Sequence, residues 1–280
     1  MTTLLIVGGL TVDRFADGSS APGGSVLHAG LAADAEGAEV RVLTIAGAEA
    51  EAQDGLGRLA ALGTCISQSS PTSTIYRHRE ADGHRVLVFE AGSDAIDPQQ
   101  VVQLGPVDAV LVAPIADELA PTSIARLREA ARAPLAVVLI QGWLRRLRVG
   151  TAVEPMRLPE LRATAWSAFN TADAVVVSTE DFVTDDHDPF QQIAAVRKAL
   201  GPAPLLVLTL GADGYLLDDP AADRVIASVP RNVVDGVPAV GAGDTFGAAL
   251  ATHLSAGDAP ADAAHAAAER VIAMLESRRL

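Results

Sequence analysis

Short apolar runs recur along the chain at 4–7, 40–44, 109–113, 136–140, 174–178 and 205–209, and in all but 40–44, where Arg41 intervenes, the hydrophobic residues follow one another without a polar alternate. Runs of this kind suit strands covered on both faces, the condition of a parallel sheet buried under helices. Between them, 26–37, 122–133 and 189–201 place apolar residues three and four positions apart, the period of one helix face. The alternation predicts an α/β fold, a three-layer α/β/α sandwich around a mostly parallel central sheet.

Residues 72–92, TSTIYRHREADGHRVLVFEAG, break that rhythm. Large and polar residues alternate on both sides of Asp82-Gly83, a strong signal for a two-residue hairpin turn. The pattern suits a hairpin standing off the main sheet to cover a pocket, and equally an antiparallel addition to the edge of that sheet. No internal repeat or long low-complexity linker divides the chain, so one domain over 1–280 is expected.

Composition narrows the chemistry. With 280 residues, 49% hydrophobic and 20% charged, the chain reads as globular with a substantial core. No apolar run approaches the roughly 20 residues that cross a bilayer, and the start, MTTLLIVGGLTVD, lacks the basic residues of a secretory signal. The single cysteine, Cys65, excludes paired-thiol motifs and fits a reducing compartment, so a cytoplasmic location is expected. A net charge of -14 argues against nucleic acid and anionic membrane as partners. Lys198, the only lysine, lies in a helical segment, which sets aside lysine phosphate loops and Schiff-base chemistry.

The chemistry concentrates in PAVGAGDTFGAALATHL, 238–254. Gly241, Ala242 and Gly243 run into Asp244 and then into an apolar helical segment. Free N–H groups and the positive end of the helix dipole would attract an anion there, and the glycines let it approach the backbone. Asp244 reads as an ordinary helix cap, or as a base accepting a proton from a hydroxyl beside a bound phosphate.

GAGDTFGAAL resembles the carboxy-terminal signature of the ribokinase-like carbohydrate kinases, the phosphofructokinase B type family. The resemblance implies that Gly241, Ala242 and Gly243 form an anion hole and that Asp244 is the catalytic base. APGGSVLHAGLAADAEGAEV (21–40) is similar to the family's double-glycine segment, which makes Gly23 and Gly24 substrate contacts, with His28 one turn into the following helix as a further contact or a packing residue. GGLTVDRF implies Asp13 as the acid that binds substrate hydroxyls, and VLTLGADGYLL (207–217) resembles the nucleotide-side turn, giving Thr209, Gly211 and Gly214. The hairpin resembles the family's small β lid, so lid elements are expected around 10–22 and 72–92, with a surface through which two copies could pair. STED stands where relatives carry Asn-x-x-Glu, which puts Ser178 on the nucleotide and Asp181 or Glu180 on magnesium. Arg145, in QGWLRRL after a strand end, faces phosphate or is plain surface charge; the same stretch is reminiscent of inositol-kinase-like relatives.

The sequence also departs from the pattern. Pro238-Ala239-Val240 stands where many relatives carry Asp-Thr-Thr, whose Asp serves a monovalent cation, so cation activation is not expected. The final AMLESRRL stops short of a segment that relatives place near the adenine, which implies weakened or shared adenine binding. The acids of DFVTDDHDPF around His187 suit a metal site or a solvated loop capping the helix at Pro189. The resemblance implies an ATP- and Mg2+-dependent kinase of a small sugar, polyol or nucleoside; the alternative is a non-catalytic ligand-binding or regulatory protein of the same fold.

Overall fold

A computed structural model describes every residue except 82, 83, 231, 235 and 280. The main sheet has nine strands: β1 (Thr3–Val7), β4 (Glu39–Ala46), β5 (Gly63–Ser69), β8 (Ala109–Val112), β9 (Leu135–Leu139), β13 (Ala174–Ser178), β15 (Leu205–Thr209), β16 (Tyr215–Asp219) and β17 (Arg224–Ser228). Their order is β17-β16-β15-β13-β9-β8-β1-β4-β5, parallel from β15 to β5 and antiparallel only at β15-β16-β17. All six apolar runs read from the sequence lie in it.

Each central strand feeds two cores. Leu4 and Ile6 of β1 point into one cluster with Val26, Ala29, Ala249 and Ala264, whereas Leu5 and Val7 point into another with Ile124, Phe169 and Val196. The first cluster is covered by α1 (Ser25–Ala35), α2 (Ala50–Leu62), α6 (Ala242–Ala256) and α7 (Pro260–Ser277); the second by α3 (Ser123–Ala130), α4 (Ala163–Phe169) and α5 (Pro189–Leu200). A strand covered on both sides has no polar alternate to show, which explains the uninterrupted hydrophobic runs. Among the described residues no helix is long and apolar enough to cross a membrane.

The hairpin does not extend this sheet. Its strands, β6 (Thr74–Ala81) and β7 (His84–Ala91), pair antiparallel with Ala81 opposite His84, and join β2 (Thr11–Arg14), β3 (Ser20–Gly23) and β11 (Thr151–Ala152) in a separate five-stranded sheet ordered β11-β7-β6-β2-β3. The Asp82-Gly83 turn itself lies outside the described residues. A third, small sheet of β10 (Arg145–Arg146), β12 (Glu154–Arg157) and β14 (Phe182–Val183) follows the carboxyl end of β9.

Strand order decides where a ligand can sit. From β1 the chain runs outward to β4 and β5, then returns to the other side of β1 with β8. The connections diverge there, leaving a crevice beyond the carboxyl ends of the parallel strands. Buried Glu118 ties the loops after β1 and β8 together: one carboxylate oxygen accepts from the N–H groups of Gly9 and Ile115, the other from that of Ala116, all at 2.8 Å.

Candidate active site

A cavity of about 490 Å³ occupies that crevice. Its walls come from the carboxyl ends of β8, β9, β13 and β15, from β2 and β6 of the separate sheet, and from the start of α6. Of the residues expected at the site, Asp13, Gly24, His28, Arg145, Ser178, Glu180, Asp181, Thr209, Gly211, Gly214 and the run Gly241–Asp244 all line it. Gly23 does not. It sits behind Asp13, where a Cβ would lie 2.5 Å from the carboxylate, so its smallness makes room for that acid.

At one end of the cavity stands Asp13, on β2. Its Oδ1 accepts from the Thr11 hydroxyl at 3.1 Å and its Oδ2 lies 3.4 Å from His78 Nε2 of β6. Phe15 stacks on the outer face of that imidazole, with ring centroids 4.9 Å apart. Tyr76, two residues before His78 on the same strand face, donates its hydroxyl to the Ile115 carbonyl at 2.8 Å, and burial pushes its phenol up to about 12. Arg145 donates to that carbonyl at 3.1 Å and lies over the Tyr76 ring. Its guanidinium therefore faces the cavity from a fixed seat; it is not loose surface charge.

The other end is built from backbone. The first helical residue of α6 is Ala242, and the cap is Gly241 in the left-handed region at φ 78°, with no side-chain capping bond. Asp244 is thus the third residue of the helix and not its cap; among the described residues its carboxylate makes no hydrogen bond or ion pair, and the helix dipole favours its charge. Two circumstances demand glycine at 241: the positive φ, and the His28 imidazole, which a Cβ would meet at 2.3 Å. The amide of Ala242 is donated to the Ala239 carbonyl at 3.1 Å, whereas those of Gly241, Gly243 and Asp244 have no protein acceptor among the described residues. Of the expected set, Gly241 and Gly243 therefore keep free donors and Ala242 does not, while Asp244 adds one.

His28 connects the two ends. Burial pulls its basicity down, the Asp244 carboxylate and then Asp13 act in the opposite sense, and Arg278 adds to the depression. The imidazole packs against Gly241 and also lines the cavity.

Past α6, the cavity continues along Thr209, Gly211 and Gly214 to an apolar wall that includes Val233, Val237, Val271, Ile272 and Leu275. Asp181 is buried, its oxygens accepting from Gln141 Nε2 at 2.8 Å and from the Ser178 amide at 2.7 Å, and burial pushes its carboxyl up. Glu180 beside it is exposed and lines the cavity. Among the described residues no three His, Cys, Asp or Glu side chains cluster as a metal site. The acids around His187 do local work instead: Asp188 caps α5 by accepting from the Phe190 amide at 3.0 Å, and Asp185 pairs with Arg157 at 3.0 Å.

Sequence reading missed Thr11, Tyr76, His78 and Gln141. The alternation on β6 carried a usable signal for Tyr76 and His78, which share a face; Gln141 follows a strand end, and nothing but its place after β9 marks it.

The family model described as pfkB family carbohydrate kinase matches residues 11–273. No curated protein matches the sequence. Among solved structures, a pyrophosphate-dependent kinase of the ribokinase family, complexed with a pyrophosphate analogue and myo-inositol, is similar at TM-score 0.76 and 18% identity, over 95% of this chain and 92% of that one. Arabidopsis thaliana ribokinase with ribose and ATP is similar at TM-score 0.71 and 14% identity, over 95% and 90%. The tetrameric inhibited form of phosphofructokinase-2 from Escherichia coli gives TM-score 0.69 and 16% identity, over 99% and 95%. At such identities these likenesses carry the fold, and the family match carries the rest: the chain belongs to the pfkB family of carbohydrate kinases.

Proposed function

We propose that this protein transfers the γ-phosphoryl group of ATP to a hydroxyl of a small sugar, polyol or nucleoside. The observation that carries the reading is the unbonded Asp244 carboxylate at the start of α6, beside free amides and in the same cavity as the side-chain-anchored Asp13. Asp13, held by Thr11, offers its remaining lone pairs to acceptor hydroxyls. Asp244 takes the proton from the attacking hydroxyl as the new O–P bond forms and the bond to the departing nucleotide breaks. The amides of Gly243 and Asp244 hold the phosphoryl oxygens, and preorganised donors of this kind supply about 3–4 kcal/mol each to a transition state. The five-stranded sheet, bearing Asp13, Tyr76 and His78, is the lid over the acceptor.

Glu180, exposed on the cavity wall, is the carboxylate available to a magnesium ion brought in with the nucleotide, since such an ion keeps several waters and needs few protein donors. Asp181, with both oxygens already engaged, would orient that wall through Ser178 and Gln141. When bound, magnesium would neutralise phosphate charge. The apolar wall of Val233, Val237, Val271, Ile272 and Leu275 favours a donor with a base to bury, and so ATP over pyrophosphate.

The test is to incubate the purified protein with labelled ATP, and separately with pyrophosphate, against inositols, pentoses, hexoses and nucleosides. We expect ATP-dependent transfer to one class of acceptor. Binding of an acceptor without transfer from either donor would replace this reading by the non-catalytic one.

A further inference from the structure

The segment 229–240, which leads from β17 into the Gly241 turn, forms no helix or strand among its described residues. It must nevertheless be held still, because the turn's amides have to present themselves to a phosphoryl group without rearrangement. A side chain from the end of the last helix hydrogen-bonds to it. Arg278, at the carboxyl end of α7, donates Nη1 to the Pro238 carbonyl at 2.8 Å.

Two further observations place that guanidinium in the site's electrostatic neighbourhood. Arg278 is an exposed residue whose guanidinium is desolvated only in part, which lowers its basicity, and its charge depresses that of His28, the side chain packed on Gly241. Pro238 is followed by Ala239, whose carbonyl accepts from the Ala242 amide and closes the turn. Arg278 therefore fixes the near end of a turn whose far end is fixed by α6.

We propose that Arg278 is a positioning residue for phosphoryl transfer: through the Pro238 carbonyl it holds the segment before Gly241 so that the amides of Gly243 and Asp244 stay aimed at the transferred group. The proposal rests on the phosphoryl-transfer reading of that turn. A charged donor on a carbonyl is the stronger kind of hydrogen bond, and Arg places it with a planar, preorganised head, which Lys reproduces only in part.

The experiment compares the full-length wild type with Arg278→Ala and Arg278→Lys, using the acceptor found in the panel. Arg278→Ala should lower kcat about tenfold, the scale of one charge-assisted hydrogen bond, with the acceptor KM within about twofold and melting unchanged. Arg278→Lys should fall between. Added guanidinium ion at non-denaturing concentration should restore Arg278→Ala several-fold, and should do nothing for the wild type or for Asp244→Asn. Amide hydrogen exchange over 236–246 should be faster in Arg278→Ala. Unchanged kcat overturns the proposal, as does a kcat loss that follows a fall in melting temperature and resists guanidinium. If the wild type proves to phosphorylate no acceptor, the functional reading fails separately, and unchanged exchange over 236–246 would still overturn the role given to Arg278.

Discussion

The two ends of the cavity are built on opposite plans. The acceptor end is made of side chains that hold one another: Thr11 on Asp13, His78 beside Asp13, Phe15 stacked on His78, Tyr76 and Arg145 sharing the Ile115 carbonyl. The transfer end is made of backbone, a left-handed glycine and three amides with no acceptor among the described residues, with one carboxylate that has no partner among them either. Hydroxyl recognition needs directional groups locked in place. Stabilising a phosphoryl group in flight needs fixed dipoles and one acceptor ready for a proton. Damage should therefore show in kcat at one end and in KM at the other.

The largest effect is expected at the unpartnered acid. Asp244→Asn keeps shape and helix but removes the proton acceptor, and should lower kcat by about two orders of magnitude or more, the usual scale for a general base. Circular dichroism should show an intact fold, and near-normal turnover would refute the assignment. At the opposite end, Asp13→Asn exchanges an oxygen acceptor for an amide donor. The acceptor KM should rise about tenfold, in line with one lost hydrogen bond to a charged group, while kcat changes less. A loss confined to kcat would erase the distinction between the ends.

The same contrast explains how much was legible in the sequence. The transfer end was visible because its requirements are local: positive φ and close packing on His28 force glycine at 241, and a helix start must follow, so the whole device lies in consecutive letters. The main sheet was visible for a related reason, since strands covered on both faces carry unbroken apolar runs. The acceptor end is assembled from β2, β6 and the turn after β9, far apart along the chain; the alternation on β6 puts Tyr76 and His78 on one face without saying what that face meets, and Gln141 has no local mark beyond its place after β9. Helix α2 and strand β5 also escaped notice. The helix shows only a few buried positions, Ala52, Gly55 and Leu59, and β5, at the sheet edge, is mostly half-exposed.

A smaller effect is expected where the loops after β1 and β8 are tied together. The Glu118 oxygens accept three N–H groups, from Gly9 on one loop and from Ile115 and Ala116 on another, and a carboxylate matches donors on both sides. In Glu118→Gln the carbonyl can keep Gly9 and Ile115, but the new amide would face the Ala116 N–H, donor against donor. One buried group left unsatisfied costs about 1–3 kcal/mol, to be read as a lowered denaturant midpoint at unchanged slope. Wild-type stability in that variant would mean that the loops beyond β1 and β8 are held by their backbones alone.

Potassium should have the smallest effect of all. Pro238, Ala239 and Val240 bring no side-chain oxygen to the turn; the Pro238 carbonyl accepts from Arg278, and the Ala239 carbonyl from the Ala242 amide. A monovalent cation placed there would compete for oxygens already in use, and with a guanidinium whose charge it would repel. Exchanging sodium for potassium at constant ionic strength should therefore leave kcat within about twofold, well under 1 kcal/mol on the barrier. Strong activation by potassium would show that the turn is held by a diffusible ion, and the division between a side-chain end and a self-supporting backbone end would fail where it is most specific.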